Sequence, residues 1–232
     1  MGPKREPNSD NLGEQLSPLV STKNRLKKAG VIAILRGQNP STLFDRGIAL
    51  AKIGYTAIEV SLDSKDALQI IHRLRTELPD TVQIGVGTIL ERSQIQACSE
   101  AGATFALSPT FPEGMIEDCH ANDILAIPGV SNLAELHIAK NSGAQIVKLF
   151  PSTEWISEDL DDVEIPWIPV GSIDNESIWT WLDAGAWCVG MGANLCGSDL
   201  SQEGTGAKDW VGNEAQFARD IFMELQHRHN AT

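Results

Sequence analysis

Eight short apolar runs recur along the chain, separated by stretches with helical periodicity, and this alternation sets the expected fold. The runs are Val31 to Arg36, Ala57 to Leu62, Gln83 to Thr88, Phe105 to Pro109, Asp123 to Ile127, Ile146 to Phe150, Trp167 to Gly171 and Trp187 to Gly192. Successive runs begin 18 to 26 residues apart, room for one strand, its turns and one helix. Strands alternating with helices predict a parallel sheet, and eight such units predict an α/β fold that closes into a (β/α)8 barrel, the TIM-barrel architecture, rather than an open doubly wound sheet. Glycine placement agrees. Ala101-Gly102-Ala103, Ser142-Gly143-Ala144 and Ala184-Gly185-Ala186 each close a helical stretch just before a strand, and Ile53-Gly54-Tyr55 repeats the device. Glycine takes the left-handed conformation that ends a helix there. Ser21 to Ala29 reads as a short amphipathic helix ahead of the first strand. Residues 1–20, rich in Pro, Asn, Ser and charge and without periodicity, read as a mobile arm, which leaves residues 21–232 as a single barrel domain.

Within these runs a few polar positions break the apolar pattern. The strongest is Lys148, inside Gln145-Ile146-Val147-Lys148-Leu149-Phe150-Pro151. A buried ammonium loses hydration, which lowers its pKa and raises the fraction of free amine able to attack a carbonyl, the property used by Schiff-base lysines. An edge-strand lysine whose stem packs while its ammonium reaches water would give the same local pattern. Arg36, Glu59, Ser61, Thr88 and Ser108 also fall in or at the end of apolar runs, and active groups of a barrel sit at the C-terminal ends of its strands. Period-two alternation turns Ile58 and Val60 to the helices and Glu59 and Ser61 inward. In the same way Val147 and Leu149 face out and Lys148 faces in. An inward lysine and an inward carboxylate at one mouth are a nucleophile with an acid/base group, and equally a structural ion pair. Lys52, Lys65 and Lys140 fall in expected helices and Lys208 in a polar loop, so none competes with Lys148.

Composition narrows the partners. The chain has 232 residues, 42% of them hydrophobic, and a net charge of -13. That is enough apolar material for a sizeable core, and the missing basic footprint argues against nucleic acid or an anionic membrane. No apolar run has the length of a membrane span and the N-terminus lacks a signal-type apolar core, so the expected location is cytoplasmic. Cys98, Cys119, Cys188 and Cys196 form no C-x-x-C pair and have no histidine at metal-ligand spacing, so reduced thiols and no metal are expected.

From about Lys23 to Leu225 the sequence resembles the class I aldolases that act on 2-keto-3-deoxy-6-phosphogluconate, its galactonate epimer and 4-hydroxy-2-oxoglutarate. The phrases that carry the resemblance are Ile32-Ala33-Ile34-Leu35-Arg36-Gly37, Ile58-Glu59-Val60, Gly85-Val86-Gly87-Thr88-Ile89-Leu90, Pro128-Gly129-Val130 with Glu135, and Val147-Lys148-Leu149-Phe150-Pro151. The first phrase looks closest to the galactonate branch. The resemblance implies a Schiff-base aldolase that releases pyruvate and an aldehyde, with no cofactor or metal, a small-molecule keto acid as substrate and a homotrimeric assembly. By the same resemblance Lys148 is the imine-forming lysine and Glu59 the acid/base. Arg36 and Thr88 hold the carboxylate, and Pro109 and Phe150 line the pocket. A guanidinium suits the carboxylate because its fork can donate two parallel hydrogen bonds.

The far end of the substrate fits the family pattern less well. The resemblance places a distal phosphate near Gly171, Ser172 and Gly192, yet Gly171-Ser172 replaces a Gly-Gly pair and Ala193 stands where relatives carry a hydroxyl. Backbone N–H groups and the Ser172 hydroxyl remain as anion donors. Asp63 stands where relatives carry Arg or Asn. The acidic stretch from Ser152 to Trp167, with Glu154, Glu158, Asp159, Asp161, Asp162 and Glu164, reads as a solvated helix face. These departures predict an intact pyruvate-forming end and an altered distal pocket. Two other readings stay open: oxaloacetate decarboxylation through the same imine, and a barrel that binds a keto acid without turning it over, against which the retention of both Lys148 and Glu59 argues.

Overall fold

The computed structural model describes residues 17–156, 158, 160, 163–198, 200–204, 206, 210 and 212–231. Among the described residues nine parallel strands form, eight in the expected runs and β6 outside them: β1 (Val31–Leu35), β2 (Ala57–Ser61), β3 (Gln83–Gly87), β4 (Phe105–Leu107), β5 (Leu125–Ile127), β6 (Gly129–Val130), β7 (Val147–Leu149), β8 (Trp167–Pro169) and β9 (Val189–Met191). Helix α1 (Pro18–Ala29) precedes them, and α2 (Pro40–Ile53), α3 (Ala67–Glu77), α4 (Ile95–Glu100), α5 (Met115–Ala121), α6 (Leu133–Asn141), α7 (Ser177–Asp183), α8 (Ala193–Cys196) and α9 (Asn213–Ala231) fall between or after them. Among the described residues no helix is long and apolar enough to cross a membrane.

Local chemistry explains the helix limits. Ser17 Oγ accepts from Val20 N and Pro18 opens α1, while Gly30, at φ 69°, returns its N–H to Leu26 and Lys27 carbonyls. Asn39 caps α2 the same way, ahead of Pro40. At α6, Asn132 Oδ1 accepts from Glu135 N, and Glu135 reaches back to Ser131 N at 2.8 Å. The arm expected over residues 1–20 lies largely on residues 1–16, outside the described residues, while Ser17 to Val20 form the cap and first turn of α1.

The sheet differs from a continuous eight-stranded barrel. One sheet runs β5-β4-β3-β2-β1-β9 and a second runs β6-β7-β8. The expected fifth strand is shorter at its start, and a further short strand, β6, follows it beyond Pro128. Asp123 adopts a positive φ of 56° and turns the chain, so pairing begins at Leu125. Pro128 then lacks an N–H for the ladder. The strand changes partner at that point: β5 pairs with β4, and β6, immediately beyond the proline, pairs with β7. At the other gap a single bridge between Val170 and Gly190 links β8 to β9. The acidic stretch expected as a helix face contains one 3-10 turn, Ser152–Trp155. Asp159, Asp161 and Asp162 lie outside the described residues, as does Lys208.

Two apolar layers sort the side chains as alternation requires. Val31, Ala33, Leu35, Ile58, Val60, Ile84, Val86, Val147 and Leu149 pack with the helices in one cluster. Ile32, Ala57, Phe105, Leu107, Leu125, Ile127, Ile146, Ile168 and Cys188 form a second cluster on the opposite faces of the strands. Leu26 of α1 joins this inner cluster and is fully buried, so α1 plugs the end of the sheet where the strands begin. Glu59 shares strand parity with Ala57, and Lys148 with Ile146, which puts both on the inner side toward the end where the strands finish. Inner space is made by glycine: a Cβ on Gly85 would lie 2.2 Å from the Phe105 ring. Gly85→Ala is therefore expected to destabilise the protein by about 1–3 kcal/mol, the usual range for overpacking a dense core, read as a lower denaturant midpoint. An unchanged midpoint would show that Phe105 moves freely.

Candidate active site

Lys148 projects from β7, whose partners at that position are Gly129 and Ile168. Its side chain is 93% hidden from solvent at 7% exposure, and its ammonium lies 4.3 Å from the Phe150 ring centroid. Burial holds its pKa below the ordinary lysine range. The negative charge of Glu59 opposes that shift and the positive charge of Arg36 adds to it. The edge-strand reading, with the ammonium in water, does not describe this side chain.

Glu59, on β2, is 3% exposed and its Oε2 accepts no hydrogen bond from the protein. Burial pushes its carboxyl up to about 6. Lys148 and Arg36 pull it down, and Asp63 pushes it further up. Glu59 and Lys148 thus sense each other, yet no ion pair within 4.0 Å joins them among the described residues. The carboxyl fits because its neighbour on β3 has no side chain: a Cβ on Gly87 would fall 1.6 Å from Glu59 Oε1.

Arg36, Ser61 and Thr88 come together at the ends of β1, β2 and β3. Arg36 Nη2 donates to Ser61 Oγ at 3.1 Å and to Thr88 Oγ1 at 3.0 Å, and the two hydroxyls are 2.6 Å apart. Thr88 has φ 61°, a conformation that a β-branched residue avoids and that costs about 1–3 kcal/mol. The two hydrogen bonds on its hydroxyl help to hold it there. Arg36 Nε also faces Asp63 Oδ1 at 3.3 Å. The two-pronged fork expected to be open for a carboxylate is therefore already engaged along one edge.

The remaining expected positions divide. Pro109 packs its backbone on Gly129, the β6 partner of Lys148; a Cβ on Gly129 would sit 2.5 Å from the Pro109 carbonyl carbon. Gly171, at φ 103°, lies against Phe150, and its carbonyl accepts from Ser152 Oγ at 2.5 Å. Ser172, at φ 55°, is exposed. Gly192 begins the four-residue α8 with open space where a Cβ would point. Among the described residues no hydrogen bond or ion pair connects Ser172 or Gly192 with the Lys148 cluster. Ser108, one of the polar interruptions, is spent on structure: its hydroxyl donates to Ile89 O at 2.6 Å. Ser61, singled out as polar and inward but given no role, and Gly87, given none either, belong to the cluster. Ser61's inward parity was visible, whereas the role of Gly87 depends on the register that lays β3 beside β2.

Comparison with known proteins converges on one group. The family model "Aldolase: KDPG and KHG aldolase" matches residues 22–209. The 2-dehydro-3-deoxy-6-phosphogalactonate aldolase of Escherichia coli (strain K12) is 28% identical over 198 residues, covering 83% of this chain and 94% of that protein. The KHG/KDPG aldolase of the same organism is 34% identical over 104 residues, 45% of this chain and 48% of that one. Among solved structures, a native KDPGal structure has a TM-score of 0.70 at 25% identity and covers 87% of this chain and 96% of its own. A KDPG aldolase from Legionella pneumophila has the same fold, with a TM-score of 0.73 at 22% identity and coverage of 88% and 97%.

Two outcomes follow from the packing of Glu59. Gly87→Ala is expected to displace the carboxyl, which is the end of a side chain and can swing. Turnover should drop by about 100-fold or more while the denaturant midpoint changes little, and retained turnover would refute the assigned place of Glu59. The second outcome concerns pH. A carboxyl raised from 4.5 to about 6 destabilises the native state when ionised, a penalty absent below 4.5 and full above about 6. Glu59→Gln should thus be more stable than the parent by about 2 kcal/mol at pH 8 and equal to it at pH 4, measured by denaturation at both pH values.

Proposed function

Because the chain belongs to the KDPG and KHG aldolase family, we propose that it is a Schiff-base aldolase that cleaves a 2-keto-3-deoxy sugar acid or 4-hydroxy-2-oxoglutarate to pyruvate and an aldehyde. The observation that carries this reading is the buried amine of Lys148, held below its ordinary pKa and electrostatically coupled to a buried carboxyl raised to about 6. Such a pair supplies a neutral nucleophile and a group that exchanges protons near neutral pH.

The reaction begins when neutral Lys148 Nζ attacks the C2 ketone. Loss of water from the carbinolamine leaves a protonated imine. Glu59, as carboxylate, removes the proton of the C4 hydroxyl directly or through water. The C3–C4 bond breaks, its electron pair moves through C3 and C2 to the imine nitrogen, and the aldehyde departs. The enamine takes a proton at C3, water adds to C2, and Lys148 leaves as the amine with pyruvate released. Arg36 and Thr88 hold the keto-acid carboxylate, while Pro109, Phe150 and Gly171 bound the pocket. Ser172 and Gly192 face the aldehyde half. The 28% identity with a phosphogalactonate aldolase along nearly its whole length supports the sugar-acid class. A cytoplasmic homotrimer acting on a small keto acid, with neither nucleic acid nor membrane as partner, is the setting this reading implies.

Borohydride in the presence of pyruvate is expected to leave a stable reduced adduct on Lys148, located by peptide mass mapping, and Lys148→Ala should lose both adduct and aldehyde release. An unmodified Lys148, under conditions that label a control imine-forming aldolase, would overturn the imine. Product analysis with oxaloacetate and with 2-keto-3-deoxy acids separates cleavage from decarboxylation.

A further inference from the structure

The side-on edge of Arg36 is already filled. On that edge Nε faces Asp63 Oδ1 at 3.3 Å, and Nη2 donates to Ser61 and Thr88. Nη1 has no partner among the described residues. Asp63 is held in this position by its backbone. Gln38 Nε2 donates to Asp63 O at 3.0 Å, Gly37 N donates to Ser64 Oγ at 3.2 Å, and Lys65 N donates to Gly37 O at 3.3 Å. The turn after β2 is thus pinned to the end of β1 at Asp63 and at the two residues that follow it, which fixes a carboxylate beside the Arg36 guanidinium. An incoming carboxylate meets two obstacles. It must bind end-on through Nη1 or expel Asp63, and Asp63 already offsets much of the charge that would attract it.

We propose that Asp63 is a specificity-determining residue: a built-in carboxylate that competes with the ligand's own carboxylate for Arg36, so that the site accepts 2-keto compounds with an uncharged head group, such as an amide, nearly as well as 2-keto acids. This rests on the keto-acid reading of the site. The open Nη1 donors serve an amide carbonyl without needing its charge, and the amide NH2 can donate to Asp63, which a carboxylate only repels.

Calorimetry and borohydride trapping with pyruvate and pyruvamide test the proposal in the parent, Asp63→Asn and Asp63→Ala. Asparagine keeps an oxygen at the Oδ1 position and removes the charge. Asp63→Asn is expected to tighten pyruvate binding by about five- to tenfold while weakening or leaving unchanged that of pyruvamide, the scale of one exposed unit-charge interaction. Asp63→Ala also frees Arg36 from its neighbour, so its pyruvate-to-pyruvamide ratio should shift in the same direction. A ratio unmoved within twofold in both variants, or an equal loss for both ligands, would mean that Asp63 only supports the turn and would overturn the proposal. Calorimetry needs no imine. Binding without trapping therefore overturns the imine reading alone and leaves this one to the binding ratio.

Discussion

Two buried groups of opposite charge, Glu59 on the six-stranded sheet and Lys148 on the three-stranded one, coupled but not in contact, are the constraint on which the rest of this structure depends. An ion pair at contact distance would stabilise both charges and would hold Lys148 protonated. Separation leaves each to feel its burial, so the amine moves down and the carboxyl moves up. That is the condition for an amine to be a nucleophile while its partner exchanges protons. The arrangement has a cost, since the ionised carboxyl is destabilising where it sits. The surrounding apolar layers are extensive enough to carry it.

Room for these groups comes from side chains that are missing. Gly85 and Gly87 leave the inner face of β3 bare, and Phe105 and Glu59 fill the space from either side. Gly129 does the same beside Lys148, where the Pro109 backbone moves in. Leu26 of α1 closes the end where the strands begin with an apolar plug. Glu59 and Lys148 lie farther along the strands, and the exposed Arg36 sits at the mouth.

Most of the fold was legible in the sequence because period-two alternation and recurring glycine stops are local signals. Lys148 and Glu59 could be turned inward by counting residues, since parity along a strand needs no knowledge of its neighbours. What lay beyond reach depends on how strands meet. The partner change at Pro128 could be suspected from the missing N–H, but which strand takes over at Gly129 is a matter of tertiary pairing. The fit of Gly87 to Glu59 requires the β2–β3 register, and the left-handed Thr88 contradicts its own residue preference. Its conformation is stabilised by Ser61 and Arg36, which lie 27 and 52 positions away in the chain. The acidic stretch failed for a different reason. Charge periodicity suggests a helix face, whereas among the described residues of the stretch Trp155 and Ile165 are buried and Ser152–Trp155 forms a short 3-10 turn.

The same contrast separates the two ends of the site. Lys148, Glu59 and Thr88 are fixed by strands, by glycine gaps and by a strained residue that several hydrogen bonds hold, so their geometry is determined many times over. Gly171 and Ser172 form a consecutive pair with positive φ, and Gly192 caps a helix of four residues with open space where a Cβ would point. Backbone there is set by few contacts and can be altered without disturbing the inner layer. The Lys148 cluster and these positions are carried by different elements, and among the described residues no hydrogen bond joins Ser172 or Gly192 to it, so that end can change without disturbing the inner layer.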